Sequence, residues 1–303
     1  MRSHTIEEAL QRASFCLEKA GLEQPRMEAE LLLSHVLQSD RLQLFLNREE
    51  ELPAKSAEQF ERLVRRRCAG EPAAYITGEK YFFGSRFKVN KSVLIPRPET
   101  ELIVERALHW SDRQKAAGNL KTVSCVDLGT GSGAIAITLA LKVPGIRVRA
   151  VDISGDALEQ AAENAAALGV KDKISWHRGS YFKAFREICP RPRFNLVVSN
   201  PPYLSKWDME SLPRDIREFE PPGALYGGED GLDSYREIFE DLPGYVLKPG
   251  LVLLEVGAGQ KEQVEDLALE SGLFATVSWY SDLAGHPRVM EGKIPGPEPG
   301  PRE

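Results

Sequence analysis

The sequence predicts an α/β fold: a doubly wound sheet of parallel strands with helices on both faces, preceded by a small helical bundle. Three observations lead there. From about Pro96 onward, strand-like apolar runs alternate with helical ones, the pattern of parallel strands joined by helical crossovers. A glycine-rich turn, "DLGTGSGAIAI", separates one such strand from the helix after it. Ahead of both, apolar residues recur at intervals of three and four, as on the buried face of a helix.

Taken in order, the N-terminal segment from Thr5 to about Ala69 places Ile6, Leu10, Phe15 and Leu17, then Leu31, Leu32, Val36 and Leu37, then Phe60, Leu63 and Val64 on helix faces. Thr5 and Glu8 have capping-box spacing, Gly21 suits a helix C-terminus, and Pro25 and Pro53 stand where helices can begin. After "GEPAAYITG", the short aromatic run "EKYFFGSRFKVN", broken by Gly84, reads as a β-hairpin. The alternation then runs "TVSCVDLG", "AIAITLALK", "IRVRAVDIS", "DALEQAAENAAALG", "KISWHRG", "FNLVVSN" and "GLVLLEVG". The expected organisation is a helical domain at 1–72, a hairpin linker at 73–95, a sheet domain at 96–294 and a disordered Pro- and Gly-rich tail at 295–303.

Composition narrows the function. With 42% hydrophobic and 28% charged residues the chain is globular. A net charge of -6 provides no global basic field, so tight binding to bare nucleic acid is not expected. Cys16, Cys68, Cys125 and Cys189 form no CxxC pair, and the histidines show no ligand spacing; reduced thiols and no metal are expected. The start "MRSHTIEEALQRA" lacks the apolar core of a signal peptide, and no apolar run is long enough to span a bilayer, so the expected location is cytoplasmic.

In sheets of this kind ligands bind beyond the carboxyl ends of the strands. Asp127, Asp152 and Asn200 each follow an apolar run and are the candidates. Gly129, Gly131 and Gly133, with Thr130 and Ser132 between them, let backbone approach a ligand closely in a Rossmann-like turn. Alone this is weak evidence, since a tight strand-to-helix turn also uses glycines. Asp152, at the end of the next strand, strengthens it, because an acid there can accept hydrogen bonds from both hydroxyls of a ribose. No Lys follows the last glycine, which argues against ATP hydrolysis. Asp127 at the head of the loop suits a cationic methionine moiety better than a pyrophosphate, so S-adenosylmethionine is preferred to a nicotinamide dinucleotide.

The stretch "VVSNPPYLS" identifies the acceptor class. A planar NH2 group is a poor nucleophile because its lone pair is conjugated, and an enzyme must hold it in line with the methyl group. The Asn200 side-chain oxygen and the Pro201 carbonyl can accept its two N–H bonds. Pro201 and Pro202 stiffen the turn, and Tyr203 offers a ring face for a flat group. The bland alternative is a rigid loop after a strand.

These segments, with "GEPAAYITGEKYFFG", "IPRPETE" and "GGEDGLDSYREI", resemble the release factor glutamine methyltransferases, also called the HemK or PrmC family, from about residue 5 to 293. The resemblance implies a methyltransferase sheet and transfer of a methyl group to the glutamine amide in the GGQ motif of class I peptide chain release factors. It implies that Asp127, Gly129 to Gly133, Asp152 and Asn200 contact the cofactor and that Asn200, Pro201, Pro202 and Tyr203 hold the glutamine, with Phe83 and Arg97 as further substrate contacts. Where better-known members carry an acid and a large residue beside the adenine, this chain reads "RGSYF"; Ser180 and Tyr181 are assigned that place. The alternatives are an N-methyltransferase acting on a ribosomal-protein glutamine or on an exocyclic amino group of a nucleic-acid base, and a scaffold without turnover. A monomer is expected.

Other features have plainer readings. Arg62, Arg65, Arg66 and Arg67 form a basic cluster that is a solvated face or a docking surface for an acidic release factor. Phe82 and Phe83 read as hairpin packing, and Arg97 and Glu99 of "RPET" as either helix caps or a closure over the site. Glu255 sits at another strand end as a site-facing carboxylate without a catalytic role, and His286 as a surface residue.

Overall fold

The computed structural model describes residues 5–296, so the expected tail lies outside the described residues except for Pro295 and Gly296. Contacts divide the chain into two compact units: one of residues up to Glu79 with Pro213–Phe219, the other of Lys80–Leu212 and the chain from Glu220 onward.

The first unit opens with α1 (Ile6–Lys19), α2 (Pro25–Leu37), α3 (Arg41–Leu46), α4 (Ala54–Cys68) and α5 (Ala73–Thr77). The Thr5–Glu8 capping box forms, and Pro25 is the first residue of α2. Ile6, Leu10, Leu17, Leu32, Phe60, Leu63 and Val64 are buried as expected, joined by Ala13, Ala29, Leu33 and Leu44. Phe15 and Leu31 depart from the expectation: they are 60% and 46% exposed, because the buried stripe of α1 runs through Leu10, Ala13 and Leu17, and that of α2 through Ala29, Leu32 and Leu33. The basic cluster of α4 is split. Arg67 is buried on Glu28 and Arg66 pairs with Glu71, leaving Arg62 and Arg65 exposed.

The expected hairpin follows, β1 (Glu79–Phe82) and β2 (Ser85–Lys88), all but its first residue in the second unit. Phe83 and Gly84 both have positive φ (48° and 75°), the twist a two-residue turn needs between right-twisted strands. Phe82 and Phe87 enter the sheet core, and the backbone N–H of Phe83 donates to Glu101 at 2.7 Å, holding an aromatic residue where glycine is usual.

The sheet domain continues α6 (Glu101–Ala116), β3 (Ser124–Leu128), α7 (Ala134–Lys142), β4 (Arg147–Asp152), α8 (Gly155–Ala167), β5 (Ile174–Arg178), β6 (Phe194–Ser199) and α9 (Lys206–Ser211). After α10 (Arg214–Phe219), which belongs to the first unit, come α11 (Asp233–Asp241), β7 (Val246–Glu255), α12 (Lys261–Glu270), β8 (Thr276–Ser281) and β9 (Pro287–Ile294). The strand order is β5-β4-β3-β6-β7-β9-β8. Strands β3 to β7 are parallel, as the alternation requires, whereas β9 runs antiparallel to both β7 and β8. That closing hairpin is absent from the sequence reading.

Residues along each strand alternate between two cores. Cys125, Val198, Leu251 and Leu253 pack with α6, α7 and α8 on one face; Val126, Val197, Val252 and Leu254 pack with α11 and α12 on the other. A fully buried side chain of this size contributes about 1.5–3 kcal/mol relative to an exposed one, so this double core holds the central strand ends rigidly in place. Those ends, β3 and β6, are neighbours at the point where strand order reverses, with Leu128 opposite Ser199.

Candidate functional site

The loop after β3 is shaped by its glycines and by two carboxylates. Gly129, Gly131 and Gly133 have φ of 74°, 56° and 81°. At Gly133 a Cβ would lie 2.7 Å from the Ile137 Cδ1 and 3.1 Å from the Ala161 Cβ, so α7 and α8 close on that residue. Around Gly131 no atom lies within 4 Å of such a Cβ, which leaves backbone exposed to open space. Gly129 and Thr130 donate their N–H groups to the Val151 carbonyl at 2.8 and 2.9 Å, tying the loop to β4.

Asp127 is fully buried behind the loop. Its Oδ2 accepts from the Thr130 hydroxyl at 2.7 Å and the Ala136 N–H at 3.1 Å, while its Oδ1 has no hydrogen-bond partner. Burial pushes its carboxyl up to about 7 against those two hydrogen bonds. Asp152, half-buried, accepts one backbone donor on each oxygen, Gly131 N–H and Ser154 N–H, both at 2.9 Å. Each oxygen keeps a further lone pair for the hydroxyls of a ribose. Burial also raises this carboxyl.

Asn200 follows β6 and lies beside the glycine loop: its carbonyl is 4.0 Å from where a Gly129 Cβ would stand. The Ser199 hydroxyl donates to the Leu128 carbonyl at 2.6 Å and pins the two strand ends together. Beyond Asn200 the loop is held from several directions. The Pro202 carbonyl accepts from the Ser234 hydroxyl at 2.8 Å, the Tyr203 carbonyl from Gln260 Nε2 at 2.8 Å, and the Leu204 carbonyl from the Gly227 N–H at 2.8 Å. A Cβ on Gly227 would stand 2.7 Å from the Pro202 carbonyl oxygen, and one on Gly231 would clash with that of Tyr203. The "GGEDGLDSYREI" stretch is therefore the cradle of the Pro-Pro turn. Among the described residues, no hydrogen bond is made to the Pro201 carbonyl or to Asn200 Oδ1.

The Asn200 amide nitrogen donates to the Thr100 hydroxyl at 3.0 Å, and that hydroxyl donates to Glu255 Oε2 at 2.6 Å. Glu255 is buried, and burial pushes its carboxyl up to about 7. The Tyr203 hydroxyl lies 3.4 Å from its other oxygen, and burial raises that phenol further. Of these groups, Thr100, Ser234 and Gln260 escape the sequence reading. Their only signal is membership of the "IPRPETE" and "GGEDGLDSYREI" stretches or position after "LLEVG", since every partner is remote in sequence.

The remaining candidates sit farther out in the network. The Ser180 hydroxyl donates to Glu237 at 2.5 Å, which leaves its lone pairs to accept from an amino group. Tyr181 lies in the left-handed region at φ 39°, and burial pushes its phenol up to about 12. The loop carrying both is tied to β4 by the Gly179 N–H on the Asp152 carbonyl at 3.0 Å. Arg97 pairs with the buried Glu220 at 2.5 Å, whose other oxygen takes the Ile95 N–H. The Phe83 ring packs against the core on the α6 side of the sheet. His286 is exposed.

Known families match two parts of this chain, and curated relatives match nearly its whole length. Residues 8–78 match the PrmC N-terminal domain and residues 114–212 the methyltransferase small domain. A release factor glutamine methyltransferase of Bacillus anthracis is 37% identical over 289 residues, 95% of this chain and 99% of its own. The chain belongs to the release factor glutamine methyltransferase family. A member from Chlorobaculum tepidum is 42% identical over 89% of this chain and 90% of its own. Among solved structures, a methyltransferase from Pyrococcus furiosus superimposes with a TM-score of 0.51 at 17% identity, covering 80% of this chain and all of its own, which shows the shared fold. A family of methyltransferases implies a methyl donor of the S-adenosylmethionine type. Among the described residues, no helix is long and apolar enough to cross a membrane, and no group of metal-ligating side chains is present.

Proposed function

We propose that this protein transfers a methyl group from S-adenosylmethionine to the side-chain amide nitrogen of the glutamine in the GGQ motif of class I peptide chain release factors. The observation that supports it most is the choice of occupied acceptors. The carbonyls of Pro202, Tyr203 and Leu204 are all taken by protein donors, whereas Asn200 Oδ1 and the Pro201 carbonyl remain available. Two acceptors on consecutive residues suit the two N–H bonds of one planar NH2 group.

The residues around the glycine loop fit the donor. Gly129 and Gly131 present bare backbone, Asp152 retains acceptor capacity for a ribose, Asp127 has an unpartnered buried oxygen, and Thr130, Ser132 and Gly133 complete the loop. Ser180 and Tyr181 are assigned to the adenine side. When bound, the donor supplies a methyl group on a positively charged sulfur. Asn200 Oδ1 and the Pro201 carbonyl hold the glutamine amide with its nitrogen facing that methyl group, and their hydrogen bonds strengthen as positive charge develops on the nitrogen. Pro201 and Pro202 keep the acceptors from turning away, and Tyr203 covers the flat face of the amide. Phe83 and Arg97 act at the periphery, through the hairpin turn and the Glu220 pair. The protein acts as a monomer in the cytoplasm.

Mass mapping of the GGQ peptide, after incubation of an unmethylated release factor with the protein and S-adenosylmethionine, tests the proposal. One added methyl group on the glutamine is expected. Asn200→Ala removes one of two acceptors and should lower kcat by roughly 10²–10³-fold while the donor still binds. An unmodified glutamine, with donor binding intact, would overturn the substrate assignment.

A further inference from the structure

We propose that Thr100 and Glu255 are positioning residues that set the polarity of the Asn200 amide, so that Oδ1 and not Nδ2 faces the acceptor nitrogen. The inference rests on the methyl-transfer reading above and adds residues that neither the Pro-Pro turn nor the glycine loop contains.

An asparagine amide is nearly symmetric in shape. Turning it by half a rotation exchanges an acceptor for a donor at almost no steric cost. In the wrong orientation Asn200 would present N–H bonds to the N–H bonds of its substrate, and the acceptor role would be lost. The side chain therefore needs a partner that tolerates only one orientation. Thr100 alone cannot supply it, because a hydroxyl both donates and accepts.

The next group resolves the ambiguity. Glu255 Oε2 lies 2.6 Å from the Thr100 oxygen, and an ionised carboxylate only accepts. The Thr100 proton is committed to Glu255, so its oxygen can only accept from Asn200, at 3.0 Å. The polarity runs in one direction: carboxylate, hydroxyl, amide N–H, then Oδ1 towards the acceptor. All three groups come from different parts of the chain, at the start of α6, the end of β7 and the end of β6, and Thr100 and Glu255 are both buried. Buried chains of hydrogen bonds of this kind are strong because no water competes with them.

The charge on Glu255 is balanced by its surroundings. Burial raises its carboxyl to about 7, the Thr100 hydrogen bond lowers it, Glu99 raises it, and Tyr203 and Arg288 lower it. The orientation is thus held most firmly on the alkaline side of that value, where the carboxylate is purely an acceptor.

Isosteric variants of the full-length protein test the idea. Thr100→Val keeps the shape and removes the hydroxyl; Thr100→Ser keeps the hydroxyl. The valine variant should lower kcat about 10- to 100-fold with the KM for release factor and the binding of S-adenosylmethionine unchanged, because only the orientation of a reacting contact is affected. The serine variant should restore kcat close to wild type. Glu255→Gln, which can show either an oxygen or an amide nitrogen to Thr100, should fall between them. The orientation itself is read without substrate from the side-chain NH2 signals of Asn200 in ¹⁵N–¹H spectra, assigned by their disappearance in Asn200→Ala. Slow exchange of one of these protons, retained in Thr100→Ser and lost in Thr100→Val, supports the proposal. Equal losses of kcat in the valine and serine variants, or an Asn200 signal indifferent to Thr100→Val, would overturn it. If the wild type leaves the GGQ glutamine unmodified, the substrate assignment fails on that result, while the NH2 signals still decide the orientation.

Discussion

Asp127 makes a sharp stability prediction because it is a fully buried carboxyl with one oxygen unpartnered. Its carboxyl titrates at about 7 in the folded protein against an ordinary 3.8, with burial the leading cause. A folded-state value above the unfolded one means that stability is fully present at low pH and is lost as pH rises towards the folded value. Once both states are ionised the cost is about 4 kcal/mol, and about 2–3 kcal/mol of it accrues between roughly pH 5 and pH 8. Asp127→Asn removes this dependence. Its Oδ1 can still accept from Thr130 and Ala136, and its NH2 group replaces the oxygen that has no partner. The four tryptophans, Trp110, Trp176, Trp207 and Trp279, all lie in the second unit, so urea unfolding followed by their fluorescence reports on the unit that holds Asp127. Relative to Asp127→Asn, the wild type should lose about 2–3 kcal/mol on going from pH 5 to pH 8. Glu255, the other carboxyl raised to about 7, is common to both proteins and cancels in the comparison. A gap between the two proteins that does not change with pH would refute the reasoning, since it would mean that Asp127 is ionised throughout.

Two further perturbations separate the loop from its cradle. Gly133→Ala should cost about 2–4 kcal/mol in the same unfolding assay, by forcing a side chain into the left-handed region and against Ile137 and Ala161; an unchanged midpoint would show that α7 and α8 yield there. Gln260→Ala releases the Tyr203 and Gly231 carbonyls and the Gly257 N–H together, and should lower kcat about tenfold with donor binding unchanged; an equal loss of donor affinity in calorimetry would contradict the assignment of Gln260 to the acceptor loop alone.

The sequence shows those parts of the protein whose cause is local. Strands β3 and β6 and the second half of β7 are legible because they are buried on both faces and read as continuous apolar runs, β4 and β5 because they alternate with helices, and the glycine loop because its backbone needs φ values that glycine supplies. The closing hairpin is hidden for the opposite reason. β8 is an edge strand whose "TVSWYS" carries no strong apolar signal, and β9 places Glu291 in the core, where Arg106 and Lys293 neutralise it at 2.9 and 3.1 Å. Phe15 mimics a core position because it falls near the right spacing, yet the helix turns it to the surface. Asn200 and Pro201 stand in a recognisable stretch, but the hydrogen-bond partners of Asn200 do not: Thr100 lies 100 residues from it and 155 from Glu255, separations that only the folded sheet closes.

The adjacency of β3 and β6 has a geometric consequence. Parallel neighbours are held about 4.8 Å apart by their ladder of backbone hydrogen bonds. The glycine loop and the Pro-Pro turn each grow from one of these two strands, in register at Leu128 and Ser199. The sheet therefore acts as a fixed-gauge track. On the proposed function, the spacing between the donor loop and the acceptor turn follows from a repeat distance of the polypeptide itself, set when the strands pair.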